Sequence, residues 1–197
     1  MVELRAFRPD DLAAMYRVCL LTGDAGRDAS NLYRDPDLVG HVYCGPYPMA
    51  DPSLALVVVD DEGVGGYLVG TADTVAFARW QDEHWWPALR ARYPLGPDDG
   101  TADHALIELI HHPQHADPPA GFPAHLHVDL LPRLQGQGWG RRLIETFAAA
   151  LAERGVTGLH LGVDPRNTGA RAFYARLGFV PDEKGRLLLA IDATRRA

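Results

Sequence analysis

The chain predicts an α/β fold, a mixed sheet with helices on both faces, and three observations carry that expectation. Strand-like and helix-like segments follow one another as strand, helix, strand, strand, and then strand, helix, strand, helix, strand, strand. The 197 residues suit one hydrophobic core with no linker or repeat dividing them, so residues 1–197 are expected to form a single domain with a helical insertion at about 73–95. With 47% hydrophobic and 23% charged residues the composition is globular, which excludes disorder and collagen.

Residues 2–7 alternate like a half-buried strand, and Pro9-Asp10-Asp11 supplies a cap and an acidic first turn for a helix over about 12–20. Residues 21–53 are rich in Gly, Asp and Pro, with turn signals at 22–27 and 35–37 and a short helix expected over 37–42. Residues 54–59 and 66–71 flank Asp60-Asp61-Glu62-Gly63 as a hairpin. The insertion carries Val75, Phe77, Trp80, Trp85, Trp86 and Leu89 among charged residues, aromatics suited to packing in a lid or flank. Residues 105–110 form a short strand or a helix, and 113–123 a loop. In the strand 125–130, Leu126, Val128 and Leu130 share one face, while His125, His127 and Asp129 share the other, a polar face ill suited to plain core. A glycine-rich turn leads into a helix over 140–154, with Leu143, Phe147 and Leu151 four apart and Gly155 as the stop. A strand at 158–164, a helix capped by Asn167 and ended by Gly178, and a hairpin pairing 179–180 with 187–191 complete the chain.

The net charge of −7 argues against general affinity for nucleic acid, since phosphate binding needs an excess of Lys and Arg on one face. Any anion site must therefore be local. No apolar run approaches the ~20 residues that cross a bilayer, and residues 1–7 carry no export signal, so the expected location is cytoplasmic with no membrane partner. Cys19 and Cys44 form no C-x-x-C pair, which excludes a disulfide scaffold.

Residues 131–143 join strand to helix through Gly136, Gly138 and Gly140. Glycines remove side chains where a ligand must approach the backbone, and free amides at a helix N-terminus, with the dipole behind them, attract phosphate oxygens. Arg141 and Arg142 add charge beside the loop, where a pyrophosphate would fit. A tight turn without ligand is the alternative, as is a dinucleotide loop of the Rossmann kind, although there the glycines follow the first strand of a parallel series. Gln135-x-x-Gly138-x-Gly140 at a strand end, then a strand and Asn167-x-x-Ala170-x-x-Phe173-Tyr174-x-x-x-Gly178-Phe179, resembles the paired motifs of the GNAT N-acetyltransferases. Residues 21–30, 35–47 and 125–132 further resemble bacterial acetyltransferases similar to the acetyltransferase-like C-terminal domain of O-GlcNAcase, without implying anything about cleaving sugars.

The resemblance implies a mixed, mostly antiparallel central sheet and acetyl-CoA as cosubstrate, lying where the strand ending at Leu130-Leu131 splays from the next. The N–H groups of Leu130 and Leu131 would hold the thioester, and Gln135, Gly136, Gln137, Gly138, Trp139, Gly140 and Arg141 the pyrophosphate. From the second motif Asn167 serves as helix cap and cosubstrate contact, with Ala170 and Phe173 packed beside it, and Tyr174 matches the family's tyrosine next to the thiolate. An alkylamine of pKa ~10.4 is neutral about one part in 10³ at pH 7, a cost near ~4.6 kcal/mol, so a base is useful. Asp129 is the first candidate base and Asp164 the second. His127, on the face of Asp129, joins Asp24, Arg27 and Asp28 as candidate acceptor contacts. No metal is expected, and the sequence leaves the oligomeric state, monomer or homodimer, open.

Two rival readings stand beside this one. His125-x-His127-x-Asp129, with His111, His112 and His115 upstream, would suit a metal-dependent hydrolase. A catalytically silent module that binds acetyl-CoA or presents its groove to a protein would keep the same glycine loop.

Overall fold

The computed structural model describes residues 1–114 and 116–191. Strand β1 (Glu3–Ala6) leads through a 3₁₀ turn into helix α1 (Leu12–Thr22), and the segment that follows holds α2 (Leu38–Tyr43) and α3 (Pro46–Ala50). The hairpin is β2 (Ala55–Asp60) and β3 (Gly63–Thr71). The insertion is α4 (Thr74–Trp80), a π-helical turn (Gln81–Trp85) and α5 (Trp86–Arg92), with α6 (Ala102–His111) after it. Then come β4 (Ala124–Leu130), α7 (Trp139–Glu153), β5 (Gly158–Leu161), α8 (Thr168–Arg176), β6 (Val180–Pro181) and β7 (Leu187–Ala190).

The seven strands form one sheet in the order β1-β2-β3-β4-β5-β7-β6. Among the described residues β4 and β5 are parallel, and the other neighbours antiparallel. Side-chain alternation sorts the sheet into two cores. Val57, Tyr67 and Val69 pack with Met15, Val18 and the insertion's Phe77 and Trp86, whereas Val58, Leu68 and Leu126 pack under α7 with Leu143, Phe147 and Leu151.

Of the two alternatives for residues 105–110 the helix is the one formed, because the Thr101 hydroxyl caps the His104 amide at 3.1 Å and Leu106 and Ile110 bury one turn apart. Three elements depart from the sequence expectation: β3, α3, and β5, which ends at Leu161 instead of running to 164. Strand β3 begins at Gly63, which pairs with Asp60 as Val64 pairs with Val59, and a bulge at Val58/Val59 absorbs the one unpaired residue, Gly65. Helix α3, with Pro46 in its first turn, was not expected.

The feature that makes a site is a split in the sheet. Strands β4 and β5 pair only at Ala124↔Leu159 and His125↔His160, while β4 continues along β3 to Leu130. Beyond His125 the edge of β4 facing β5 is therefore open.

Candidate functional site

A groove of about 540 Å³ occupies the open end of this split, between Val128–Leu130, the glycine loop, the first turns of α8, and Thr22, Ala25 and Gly26 after α1. Backbone direction decides what β4 offers it. In an antiparallel ladder alternate residues turn their N–H and C=O to the same neighbour. The Leu131 amide donates to the Gly65 carbonyl at 2.8 Å, so Asp129 and His127 also face β3 with their backbone, and Val128 and Leu130 face the split. This corrects one expectation: the Leu131 N–H is engaged by β3, and the outward pair is Val128 and Leu130. The Leu130 carbonyl accepts from Gln135 Nε2 at 2.8 Å, and Gln137 Nε2 donates to the Arg133 carbonyl at 2.6 Å, so both glutamines brace the loop from within.

Gly136 and Gly138 have φ of +72° and +84°, where only glycine sits without strain, and a Cβ at either would meet nothing within 4 Å. That leaves open backbone at the start of a fifteen-residue helix whose first amides have no intrahelical acceptor. Gly140 is needed for a different reason: a Cβ there would lie 2.9 Å from the Phe173 ring, so this glycine lets α8 close on α7. Arg141 lines the groove and pairs with Glu145 at 3.3 Å, while the Arg142 guanidinium stacks 4.3 Å over the Trp139 ring. Asn167 Oδ1 accepts from the Ala170 amide at 2.9 Å, capping α8 on the groove wall.

Asp129 and Tyr174 both line this groove. Burial raises the Asp129 carboxyl above its ordinary range, opposed by the hydroxyl of fully buried Tyr67, which donates to it at 2.5 Å. Tyr174 is 6% exposed, between the rings of Phe173 and Phe179 at 5.2 and 5.1 Å. Burial raises its phenol, and the charge of Asp129 adds to the effect. Asp164 stands differently. Its carboxylate is bound by the Arg166 guanidinium at 2.8 Å and held below its usual range by that hydrogen bond, which leaves it a poorer proton acceptor than Asp129.

The acceptor contacts expected from the loop after α1 are drawn elsewhere. Asp24 pairs with Arg27 at 2.8 Å and with Arg166 at 3.1 Å, and exposed Asp28 bonds the Ser30 hydroxyl at 2.6 Å. The loop meets the groove through Thr22, Ala25 and Gly26 instead. His127 lies within the fold, its ring 5.6 Å from Tyr43 and 5.3 Å from Tyr47, and burial pushes its pKa down to about 4. Among the described residues His125, His127 and Asp129 do not converge as a ligand set: His125 Nε2 meets the Tyr47 hydroxyl at 2.8 Å and its Nδ1 the Thr74 hydroxyl at 2.7 Å. His111 bonds the Tyr93 carbonyl at 2.8 Å, and His115 lies outside the described residues. Among the described residues the ligand atoms of Asp98, Asp99 and His104 do come together, at neither groove. Sequence reasoning missed Thr22, Val128 and Tyr67, because their places depend on which strand lies beside β4.

Fold, split and glycine loop match what the resemblance to the GNAT acetyltransferases implies, and comparison with known proteins shows that class. The acetyltransferase (GNAT) family model matches residues 8–179, and the chain belongs to that family. The crystal structure of SsHAT is 40% identical, covering 98% of this chain and 99% of that one, with a TM-score of 0.89. Protein O-GlcNAcase from Rattus norvegicus is 24% identical over 180 residues, 89% of this chain but 20% of that protein, so the chain spans about a fifth of the length of the curated relatives it matches. A GNAT family acetyltransferase from Brucella melitensis, solved in complex with acetyl-CoA, shares the fold at 20% identity and a TM-score of 0.52, covering 98% of this chain and 89% of that one. Among the described residues no helix is long and apolar enough to cross a membrane.

Proposed function

We propose that the chain transfers an acetyl group from acetyl-CoA to an amine by direct attack on the thioester. The observation that carries this reading is the groove itself, in which left-handed glycines expose helix-start amides at one end while Asp129 and Tyr174 stand farther along the wall. The residues fit the cosubstrate: open space above Gly136 and Gly138 admits a pyrophosphate to the backbone, and Val128 and Leu130 present peptide edges to a pantetheine. When bound, acetyl-CoA supplies the carbonyl carbon that the amine attacks.

The chain's own groups then handle protons. An ammonium gives one proton to Asp129, whose raised pKa suits it better to that task than an ordinary carboxylate. The amine lone pair forms the N–C bond as the C–S bond breaks, and the backbone N–H of Leu130 is placed to stabilise charge on the carbonyl oxygen. The remaining proton lost by nitrogen balances the one gained by sulfur. A phenol of pKa ~10 donating to a thiolate of pKa ~8.5 is uphill by about 2 kcal/mol, and burial makes Tyr174 weaker still as an acid. Its hydroxyl therefore acts chiefly as a hydrogen-bond donor to the departing sulfur. Cytoplasmic action on a small molecule or on a lysine or N-terminal amine fits this chemistry.

Calorimetry with acetyl-CoA and a thiol-release assay over an amine panel test the reading. Tyr174→Phe is expected to lower kcat by about 10²-fold while leaving acetyl-CoA affinity within about twofold. An unchanged kcat removes Tyr174 from the chemistry, binding without turnover on any amine makes the chain a silent module, and absence of binding overturns the assignment.

A further inference from the structure

A second groove, of about 400 Å³, opens at the closed end of the same split. Its wall includes His125, Leu126 and His127, and the wall of the first groove continues with Val128, Asp129 and Leu130, so the two sites abut along one strand. Building on the proposed acetyl transfer, we infer that this second groove admits the acceptor, that His127 receives its amine, and that the acceptor is a small polar amine rather than a basic polypeptide.

Reach supports the first part. Residues two apart on a strand are separated by about 7 Å and point to the same face. An amine beside the His127 ring therefore lies within one small group's length of Asp129. His160, across the split, closes the groove from β5, its ring 5.7 Å from that of His125.

Bonding singles out His127. His125 is held by Tyr47 and Thr74, and His160 Nδ1 meets the Phe122 carbonyl at 2.8 Å. Among the described residues His127 makes ring contacts with Tyr43, Tyr47 and His125 and no hydrogen bond, which leaves its ring nitrogens for a ligand. Burial keeps the imidazole neutral at pH 7, so an arriving ammonium meets an acceptor rather than a like charge. At a pKa of about 4 it is too weak a base to strip an alkylammonium. His127 is therefore a positioning residue, and the proton passes to Asp129 as in the step above.

Charge and size set the acceptor class. Arg186 on the groove wall binds Asp182 at 2.7 Å, and Asp117 on the same wall pairs with Lys184 at 3.1 Å, so among the described residues the charged side chains of the wall are each met by an opposite charge. A polycation gains no net attraction there. The lining offers imidazole and amide groups from His127 and Gln114, while the Thr74 hydroxyl is already engaged by the Pro123 carbonyl and His125 Nδ1, and the volume is that of a small-molecule site.

Gly162 provides the test. It lines the second groove, a Cβ on it would meet nothing within 4 Å, and its φ lies outside the left-handed region, so substitution there begins without backbone strain in open space at the groove wall. With ethanolamine, glucosamine and an oligolysine peptide as probes, the unmutated chain is expected to turn over a small amine faster than the peptide. Gly162→Phe should then lower kcat/KM for that amine at least tenfold while its acetyl-CoA Kd by calorimetry stays within twofold, which also reports an intact fold. His127→Phe should raise the acceptor KM by about tenfold without moving the pH profile of kcat, and His127→Gln should restore most of the loss. Preference for oligolysine, or a Gly162→Phe variant with unchanged kcat/KM, overturns this inference and leaves acetyl transfer standing. Failure of the unmutated chain to bind acetyl-CoA overturns the reading beneath it instead.

Discussion

The two grooves on β4 are built in opposite ways. The one at the open end offers main chain beside its side chains: strand edges at Val128 and Leu130, left-handed glycines, and the uncapped start of α7. The one at the closed end is walled by side chains brought from α4, β4, β5 and the β6–β7 turn. Backbone recognition leaves glycines at fixed spacing, which any reader of the chain can see. Side-chain recognition assembled from distant segments leaves no motif.

That contrast is sharpest in the residue between them. Asp129→Asn keeps the shape and removes the proposed base, so kcat for the amine is expected to fall by 10²–10⁴-fold, about 3–5 kcal/mol, with acetyl-CoA affinity unchanged by calorimetry. An equal loss of affinity would mean that Asp129 serves the wrong groove.

Acid should probe the side-chain groove. Burial depresses the folded-state pKa of His127 to about 4, against about 6.5 when unfolded, and lowers those of His125 and His160 as well. The unfolded chain therefore takes up protons first, and stability present above pH 6.5 is lost as pH falls toward 4. For His127 alone the loss reaches as much as ~3 kcal/mol, less where water enters the groove. Asp129, raised by burial, works in the opposite direction and offsets part of it. Urea unfolding at pH 7 and pH 4.5 should show the fall, and His127→Gln should flatten it; an unchanged slope would place the acid sensitivity elsewhere.

The main-chain groove is tested by strain. Gly138→Val forces a branched side chain to φ near +84°, costing about 1–2 kcal/mol, which should appear as roughly tenfold weaker acetyl-CoA binding with kcat retained at saturation. Smallest is Asn167→Ala, which removes the α8 cap and should lower stability by about 1 kcal/mol in a thermal melt.

Much of this was legible before any coordinates. The order of elements, the polar face of His125, His127 and Asp129, and the helix cap at Asn167 follow from local chemistry, and local chemistry survives folding. What was hidden depended on pairing across the chain. Tyr67 reaches Asp129 only because β3 lies beside β4 in one particular register, and the same register engages the Leu131 amide. Residues 105–110 were ambiguous because a short apolar run suits either element until its cap is seen. Asp24 and Arg27 looked available for a substrate, yet they close a turn on each other, their backbones bonded at 3.0 Å both ways. Charge in a sequence does not show whether its partner is three residues away.

The near contact between Gly140 and Phe173 reaches beyond packing. It joins the helix that starts at the pyrophosphate cradle to the helix that carries the tyrosine next in line, so neither can drift without the other. Enlarging position 140 alone is therefore expected to push α8 away from α7, and shrinking Phe173 together with it should restore the spacing between the two helices.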